Sequence, residues 1–150
     1  MTWLKYSPRV PFALRSGKSH WFIDAREIFE DKPMVEAVYQ YWASLCPKQT
    51  LCVVAVPDGG IPWATGFVDW LHAKKIIAHH CHADKKCHSE DSYRIIIEDV
   101  ITTGASIEKV KRQMDDSGHP HDRVFCVVSR SNLAAIAFIT IQLPLPEEYK

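Results

Sequence analysis

The chain has 150 residues, of which 47% are hydrophobic, and its 18 basic and 18 acidic side chains give a formal net charge of zero. This size and apolar content favour one globular domain spanning residues 1–150, and no apolar run is long enough to cross a bilayer. Balanced charge argues against recruitment of nucleic acid or a membrane surface, so an anionic ligand must be held by local groups.

The first 50 residues differ in pattern from the rest. VPFALRSGKSHWFIDAR predicts two short strands around a Ser-Gly-Lys turn. A helix is expected from about Lys32 to Cys46, with Pro33 in its first turn. We assign about residues 1–30 to a small N-terminal element of the single domain.

From residue 51 onward, strand patterns alternate with helical ones. LCVVAV, KIIAHH, YRIIIED, RVFCVVSR and AIAFITIQL predict short apolar strands. Two helices between them are predicted from apolar residues at helical spacing. These residues are Ile61, Ala64, Phe67, Val68 and Leu71 in the first helix and Ile107, Val110 and Met114 in the second. Apolar strands joined by helices predict an α/β fold with a mainly parallel sheet covered on both faces.

The cysteines and the N-terminal stretch favour a cytoplasmic protein. MTWLKYSPRV has neither the apolar core nor the small-residue cleavage site of a secretory signal. Five cysteines without a paired spacing predict reduced thiols instead of a disulfide framework. They are Cys46, Cys52, Cys81, Cys87 and Cys126. Cys52 and Cys126 lie in apolar runs and are expected to pack as small hydrophobic residues.

The segment EDVITTGAS lies where a parallel sheet binds ligands, beyond the carboxyl end of a strand. A Gly-containing turn at Thr102 to Ser106 would direct backbone N–H groups and the positive helix end at a phosphate. Glu98 and Asp99 would repel that phosphate, so they are expected to bind sugar hydroxyls or a divalent metal. The alternative is an acidic strand end followed by an ordinary N-capped helix.

Arg94 to Ser106, RIIIEDVITTGAS, resembles the phosphoribosyl pyrophosphate (PRPP) motif of type I phosphoribosyltransferases. FALRSGKSHWFID is similar to the N-terminal motif of the orotate phosphoribosyltransferases, VPDGGIPWAT to their pyrophosphate loop, and VVSR to a strand that ends in a substrate-binding Arg. These matches occur in family order from about Phe12 to Arg130. The resemblance implies a type I phosphoribosyltransferase fold in which the N-terminal element forms a hood.

The resemblance also implies a reaction. PRPP and orotate, with Mg²⁺, would give orotidine 5′-monophosphate and pyrophosphate, a step in pyrimidine nucleotide biosynthesis. By position, Glu98 and Asp99 would hold the ribose hydroxyls. Asp58, Gly59 and Gly60 would meet pyrophosphate. Mg²⁺ would be carried mainly by PRPP, with Asp58, Glu98 and Asp99 as additional contacts.

The other site residues follow from the same resemblance. The 5′-phosphate would lie against Thr102, Thr103, Gly104, Ala105 and Ser106. The base would lie against Arg15, Phe22, Ile23, Thr102 and Arg130. The catalytic residues would be Lys86, His88 and Asp99.

Lys86 to Ser89 match the family's mobile Lys-x-His-Gly loop, with Ser in place of Gly. In the family, this loop reaches into the neighbouring subunit of a homodimer. Lys86 would neutralise the leaving group and His88 would assist it. The family's upstream Arg-Lys pair falls on His82 and Ala83, which predicts a weaker cationic grip.

Three alternatives stay open. The run HHCHADKKCHSED is rich in groups that bind zinc or copper, although its spacing matches no paired site, and it is otherwise a polar surface loop. The enzyme could act on another nucleobase. Because there is little room for the family's helices before Phe12 and after Leu143, the chain could also be a regulatory protein that binds PRPP or a nucleotide without turnover.

Overall fold

A computed structural model of the chain describes residues 4–6, 9, 12–14, 17–19, 21–85, 92–101, 103–129 and 138–142. At the N-terminus, β2 (Phe12–Leu14) pairs antiparallel with β3 (Gly17–Ser19), so two paired strands are present as predicted, but Gly17 and Lys18, which were predicted in the turn, belong to β3. A second antiparallel pair, β1 (Leu4–Tyr6) with β4 (Trp21–Ile23), was not predicted. The described residues of the N-terminal part therefore form two small antiparallel ribbons.

Four helices and five further strands follow among the described residues. The helices are α1 (Ala25–Glu30), α2 (Lys32–Ser44), α3 (Gly60–Ala73) and α4 (Ala105–Asp116). The strands are β5 (Leu51–Ala55), β6 (Ala78–Cys81), β7 (Tyr93–Ile101), β8 (Arg123–Ser129) and β9 (Phe138–Gln142). The five strands form one parallel sheet in the order β6-β5-β7-β8-β9. The predicted parallel α/β sheet is confirmed.

Helices cover both faces of this sheet. Trp42 of α2 and Trp63 and Phe67 of α3 are buried against one face, together with Phe125 of β8. On the other face, α4 buries the residues predicted from its spacing, which are Ile107, Val110 and Met114. The two layers hold the sheet rigidly, so the loops at the carboxyl ends of its strands start from fixed positions.

The structure departs from the sequence predictions at two isoleucines. Ile61, predicted on the buried face of α3, is 46% exposed because it lies in the first turn of the helix, next to the loop after β5. Ile77, predicted inside a strand, is 64% exposed and precedes β6, which begins at Ala78. Apolar character alone does not separate a strand from the connection that leads into it.

The prediction of reduced thiols is wrong for one pair of cysteines. Cys52 of β5 and Cys81 of β6 are joined by a disulfide, with their Cα atoms 6.0 Å apart. In the β5–β6 register, Cys52 lies opposite His79 and Cys81 opposite Val54, so the two thiols are diagonal neighbours on one face. The two cysteines come together only through the register of two parallel strands. Their separation of 29 residues in the sequence is not a spacing that predicts a disulfide. Cys126 is a buried thiol, as predicted.

Among the described residues, none of the helices has both the length and the apolar content needed to cross a membrane.

Candidate functional site

The two acids of the EDVITTGAS segment, Glu98 and Asp99, lie at the carboxyl end of β7, the central strand of the sheet. Glu98 is buried and Asp99 is half-buried. The Asp99 backbone N–H donates to Glu98 Oε1 at 3.0 Å, and the Val100 N–H donates to Asp99 Oδ1 at 2.7 Å. Local backbone donors therefore orient both carboxylates before any ligand is bound.

The Asp58–Gly60 loop, between β5 and α3, packs directly against these acids. A Cβ at Gly59 would lie 2.6 Å from Asp99 Oδ1, and a Cβ at Gly60 would crowd the backbone carbonyl of Ile97. The loop is anchored by the Val56 N–H, which donates to Ile97 O at 2.9 Å. The two glycines thus let this loop approach β7, since a side chain at Gly59 would have to displace the Asp99 carboxylate and one at Gly60 would meet backbone. The Pro57-Asp58 peptide bond is cis, and the Asp58 side chain is exposed.

The turn between β7 and α4 has the geometry of an anion site. Gly104 is the N-cap residue of α4 and has φ 82°, a left-handed conformation that favours glycine. The Ala105 N–H donates to Thr103 Oγ1 at 3.3 Å, and the Glu108 N–H donates to Gly104 O at 3.0 Å. Ser106 is exposed in the first turn. The first N–H groups of a helix lack intrahelical acceptors, so this end can bind a phosphate.

Parallel pairing brings these loops to one edge of the sheet. β5 and β7 are neighbours, with Ala55 opposite Ile97, so the loops that follow them start side by side. The structure therefore assembles the described residues of the predicted PRPP site from three segments. They are Asp58, Gly59, Gly60, Glu98, Asp99, Thr103, Gly104, Ala105 and Ser106.

The remaining predicted residues cannot be placed in the site. Arg15, Lys86, His88, Thr102 and Arg130 lie outside the described residues. Phe22 and Ile23 lie in β4, of which the backbone is described. The predictions for the base pocket and for the Lys86 loop therefore stay predictions.

The sequence analysis did not predict that Cys126 packs against the strand end that carries Glu98 and Asp99. Its thiol is buried beneath the acids and donates to the backbone carbonyl of Val128 at 3.0 Å, with the Asp99 carbonyl 3.6 Å away. Burial, followed by the negative charge of Glu98, raises the pKa of this thiol well above its ordinary value. A neutral thiol therefore supports the strand end that carries both carboxylates. Its neighbours depend on the register between β7 and β8, so the sequence offered no signal.

The donor atoms suit Mg²⁺ that arrives with a ligand. Among the described residues, there is no cluster of three or more His, Cys, Asp or Glu side chains that could hold a metal ion. Glu98 and Asp99 provide carboxylate oxygens, the hard ligands that Mg²⁺ prefers. Mg²⁺ is commonly bound by one or two carboxylates together with substrate phosphates. The site therefore fits a metal shared with a phosphorylated ligand.

Comparisons with known proteins agree with this geometry. No protein-family model matches the chain. The orotate phosphoribosyltransferase of Methanocaldococcus jannaschii is 28% identical over 127 residues, which cover 79% of this chain and 72% of that protein. The structure of orotate phosphoribosyltransferase from Aeropyrum pernix superposes with a TM-score of 0.71 at 19% identity, covering 94% of this chain and 89% of that one.

A structure of adenine phosphoribosyltransferase from Leishmania donovani gives a TM-score of 0.68 at 14% identity, covering 98% of this chain and 80% of that one. The chain thus has the type I phosphoribosyltransferase fold that its motifs predicted. Its resemblance to orotate phosphoribosyltransferases is confirmed by a curated relative and a solved structure.

Proposed function

We propose that this protein is an orotate phosphoribosyltransferase, which transfers the phosphoribosyl group of PRPP to orotate and releases pyrophosphate. One observation carries the phosphoribosyl part of the proposal. The acidic pair, the double-glycine loop and the left-handed turn before α4 meet at one edge of the sheet. A ligand with a 5′-phosphate, ribose hydroxyls and a pyrophosphate presents three groups that match these three segments.

The described residues divide the binding of PRPP between them. The N-terminus of α4, with Thr103 and Ser106, takes the 5′-phosphate through backbone and hydroxyl donors. Glu98 and Asp99 accept hydrogen bonds from the ribose hydroxyls. The glycines of the Asp58–Gly60 loop let its backbone approach pyrophosphate. Mg²⁺ bound with PRPP would neutralise part of the diphosphate charge.

The reaction breaks the bond between C1′ and the pyrophosphate oxygen, and positive charge develops on the ribose. Asp99 is half-buried and its carboxylate is held by the Val100 N–H, so it is positioned to stabilise that charge. Lys86 and His88 would act on the opposite charge, on the departing pyrophosphate. Catalysis then depends mainly on positioning and on fixed charges.

Orotate is the proposed base because of the motifs around Arg15 and Arg130. Orotate carries a carboxylate, and a carboxylate bound in a buried pocket needs a cation and hydrogen-bond donors. Arg15 and Arg130 are at the positions that match the base-binding arginines of the motifs. Phe22, Ile23 and Thr102 would complete the pocket. The curated relative, named as an orotate phosphoribosyltransferase, supports this choice.

Adenine is the second candidate base. Structures of phosphoribosyltransferases for orotate and for adenine superpose on this chain with TM-scores of 0.71 and 0.68. This small difference means that the fold alone does not select the base.

We further propose that the protein is a homodimer in which the Lys86 loop serves the neighbouring site. The cytoplasmic location stays a prediction, because the Cys52–Cys81 disulfide removes the support that reduced thiols gave it.

The deciding assay is pyrophosphate release from PRPP with Mg²⁺ across a panel of nucleobases. We expect turnover with orotate and none with adenine. Turnover with adenine alone would overturn the choice of base, whereas PRPP binding without turnover on any base would favour a regulatory protein.

Two variants then separate the base pocket from the PRPP site. Arg130→Ala should weaken orotate binding by about 2 to 5 kcal/mol and leave PRPP binding nearly unchanged, because one buried charge loses its partner. Asp99→Asn should weaken PRPP and spare the fold. Calorimetric titration of each ligand measures both effects, and orotate affinity unchanged in Arg130→Ala would contradict the assignment of orotate.

A further inference from the structure

Cys126 lies where the pairing between β7 and β8 is interrupted. In the register of these two strands, Glu98 lies opposite Cys126 and Val100 lies opposite Val128. Within the described part of the strands, Asp99, which lies between those two pairs, is not paired with a residue of β8. The interruption therefore falls at the acid to which the proposed reaction assigns a catalytic role.

The thiol of Cys126 contacts the backbone of both strands at this interruption. Its sulfur lies 3.0 Å from the carbonyl oxygen of Val128 in β8 and 3.6 Å from the carbonyl oxygen of Asp99 in β7. Both distances allow donation from S–H, because sulfur is a larger atom than nitrogen or oxygen. One side chain of β8 thus provides a donor to β7 where the regular pairing stops.

The surroundings of this donor are apolar. Cys126 is fully buried and packs in one cluster with Ile96 and Ile101 of β7 and with the buried face of α4. A thiol fills such a position as a small hydrophobic side chain and still has a weak S–H donor. Alanine or valine would keep the apolar character and remove the donor.

The Asp99 carboxylate is linked to the same point of the backbone. Its Oδ1 accepts from the Val100 N–H at 2.7 Å. That N–H and the Asp99 carbonyl, which the thiol contacts, belong to one peptide group. Because a peptide group is planar, rotation of its carbonyl also moves its N–H. A contact that holds the carbonyl therefore also holds the hydrogen bond that orients the carboxylate.

We propose that Cys126 is a positioning residue for the reaction, because its thiol fixes the Asp99 carboxylate through the peptide group between Asp99 and Val100. This inference rests on the proposed function, in which Asp99 stabilises positive charge on the ribose. That charge is largest in the transition state, so a displaced carboxylate costs more there than in bound PRPP. Loss of the thiol should therefore lower kcat more than it raises the KM for PRPP.

The test compares the steady-state kinetics of wild type with those of Cys126→Ala, Cys126→Val and Cys126→Ser, with PRPP and orotate as substrates. Alanine and valine both remove the donor, and valine does so without opening a cavity, so either variant suffices if the other does not fold. Serine keeps a donor. Urea unfolding gives the conditions under which each variant is folded, and the rates are compared there.

Cys46→Ala is the matched control. The Cys46 thiol is the other free thiol of the described chain, and it also donates to a backbone carbonyl, that of Trp42, at 3.3 Å. Cys46 lies beside the start of β5, whereas the site lies at the carboxyl ends of the strands. Its substitution removes the same kind of contact far from Asp99.

We expect kcat to fall about tenfold in Cys126→Ala and Cys126→Val, as misplacement of a catalytic group predicts, with the KM for PRPP changed by about twofold at most. Cys126→Ser should recover most of the lost kcat, because its hydroxyl can donate in place of the thiol. Cys46→Ala should keep the wild-type kcat. A change of stability alone would not produce this division between kcat and KM.

A second measurement does not need turnover. The hydrogen exchange rate of the Val100 amide, followed by NMR, reports how firmly its N–H is held by the Asp99 carboxylate. This rate should rise in Cys126→Ala and Cys126→Val and stay near the wild-type value in Cys126→Ser and Cys46→Ala.

The outcomes separate this inference from the proposed function. Wild-type kcat in the variants without a donor, with unchanged exchange at Val100, would overturn the inference and leave the proposed function standing. An equal fall of kcat in Cys126→Ser and Cys126→Ala would also overturn it, because the volume of the sulfur and not its donor would then matter. If wild type turns over no nucleobase, the proposed function fails first, and the catalytic role of Cys126 fails with it.

Discussion

Asp99 is the residue where three segments of the chain meet. The glycine at position 59 lies against its carboxylate, the Val100 N–H donates to it, and the Cys126 thiol lies beneath its backbone carbonyl. None of these three neighbours carries a charge that could neutralise it. The carboxylate is therefore positioned by packing and hydrogen bonds, and none of these neighbours forms an ion pair with it. A bound ligand can then interact with its negative charge.

Substitution of the two adjacent glycines should separate binding from folding. Gly59→Ala places a methyl group against the Asp99 side chain, which can rotate away, so we expect weaker PRPP binding with little loss of stability. Gly60→Ala places the methyl group against the Ile97 backbone carbonyl, which cannot rotate away, so we expect destabilisation by about 1 to 3 kcal/mol. Urea unfolding and PRPP titration of both variants measure this contrast, and equal effects of the two variants on stability would contradict it.

His121 should make the stability of the fold depend on pH. Burial, followed by the positive charge of Lys111, lowers the pKa of this imidazole, although Asp115, Asp122 and Glu108 oppose the shift. Its Nδ1 is buried and has no hydrogen-bond partner among the described residues. The unfolded chain takes up this proton near pH 6.5, before the folded protein does. The contribution to stability is therefore complete above that pH and is lost as the pH falls toward the lower folded value.

Urea unfolding of wild type and His121→Gln between pH 5 and pH 8 tests this prediction. The variant should lose less stability than wild type on acidification. His79→Gln, at an exposed position on β6, should keep the wild-type profile. Parallel profiles for wild type and His121→Gln would show that this imidazole is not responsible.

At the scale of elements, the buried Tyr39 of α2 forms one of the contacts between α2 and α3. The Tyr39 hydroxyl donates to the backbone carbonyl of Trp63 at 2.9 Å, and its ring packs against Trp42 and Phe67. Burial, followed by the charge of Asp69, raises the pKa of this phenol, so it stays protonated and remains a donor. Gly66 lies directly beneath the hydroxyl. This close contact explains a glycine in the middle of a helix, where alanine is favoured by about 1 kcal/mol.

The contact predicts a coupling between Gly66 and Tyr39. Gly66→Ala should destabilise the protein because its Cβ would collide with the Tyr39 hydroxyl. In a Tyr39→Phe background the hydroxyl is gone, so the same substitution should cost about 1 kcal/mol less. A double-mutant cycle measured by urea unfolding gives the coupling. If Gly66→Ala costs the same in both backgrounds, the hydroxyl is not what excludes a side chain at position 66.

The disulfide between β5 and β6 is a second link between elements. It links the edge strand β6 to β5, the next strand of the sheet. It therefore also holds the start of the segment that continues through His82 toward Lys86. Alkylation of unfolded protein should therefore label Cys46 and Cys126 without reductant, and Cys52 and Cys81 after reduction. Peptide mass mapping reads this out. Labelling of Cys52 without reductant would show that the bond does not form in the protein as prepared.

At the scale of the whole molecule, the features that could be predicted from the sequence are those formed by residues close together in the chain. Apolar runs at strand length and helical spacing located the sheet and the helices α3 and α4, and EDVITTGAS placed two acids just before a Gly-containing turn. The order of the strands and the contact between Gly59 and Asp99 depend on pairing between distant segments. The disulfide and the position of Cys126 depend on register in the same way. A single sequence contains no direct signal for register.

The proposed homodimer gives the last prediction. If the Lys86 loop of one subunit closes over the site of the other, a site is built from Lys86 of one chain and Asp99 of its partner. A heterodimer of Lys86→Ala and Asp99→Asn chains would then contain one site with both defects and one site with neither. Mixing the two inactive variants should therefore restore activity in about half of the sites of each heterodimer, a consequence of twofold symmetry.

The measurement is pyrophosphate release after subunit exchange, with exchange verified by native mass spectrometry of differently tagged chains. Each variant mixed with wild type is the control for exchange itself. If heterodimers form and no activity returns, the loop acts within its own chain, because every site would then carry one of the two defects.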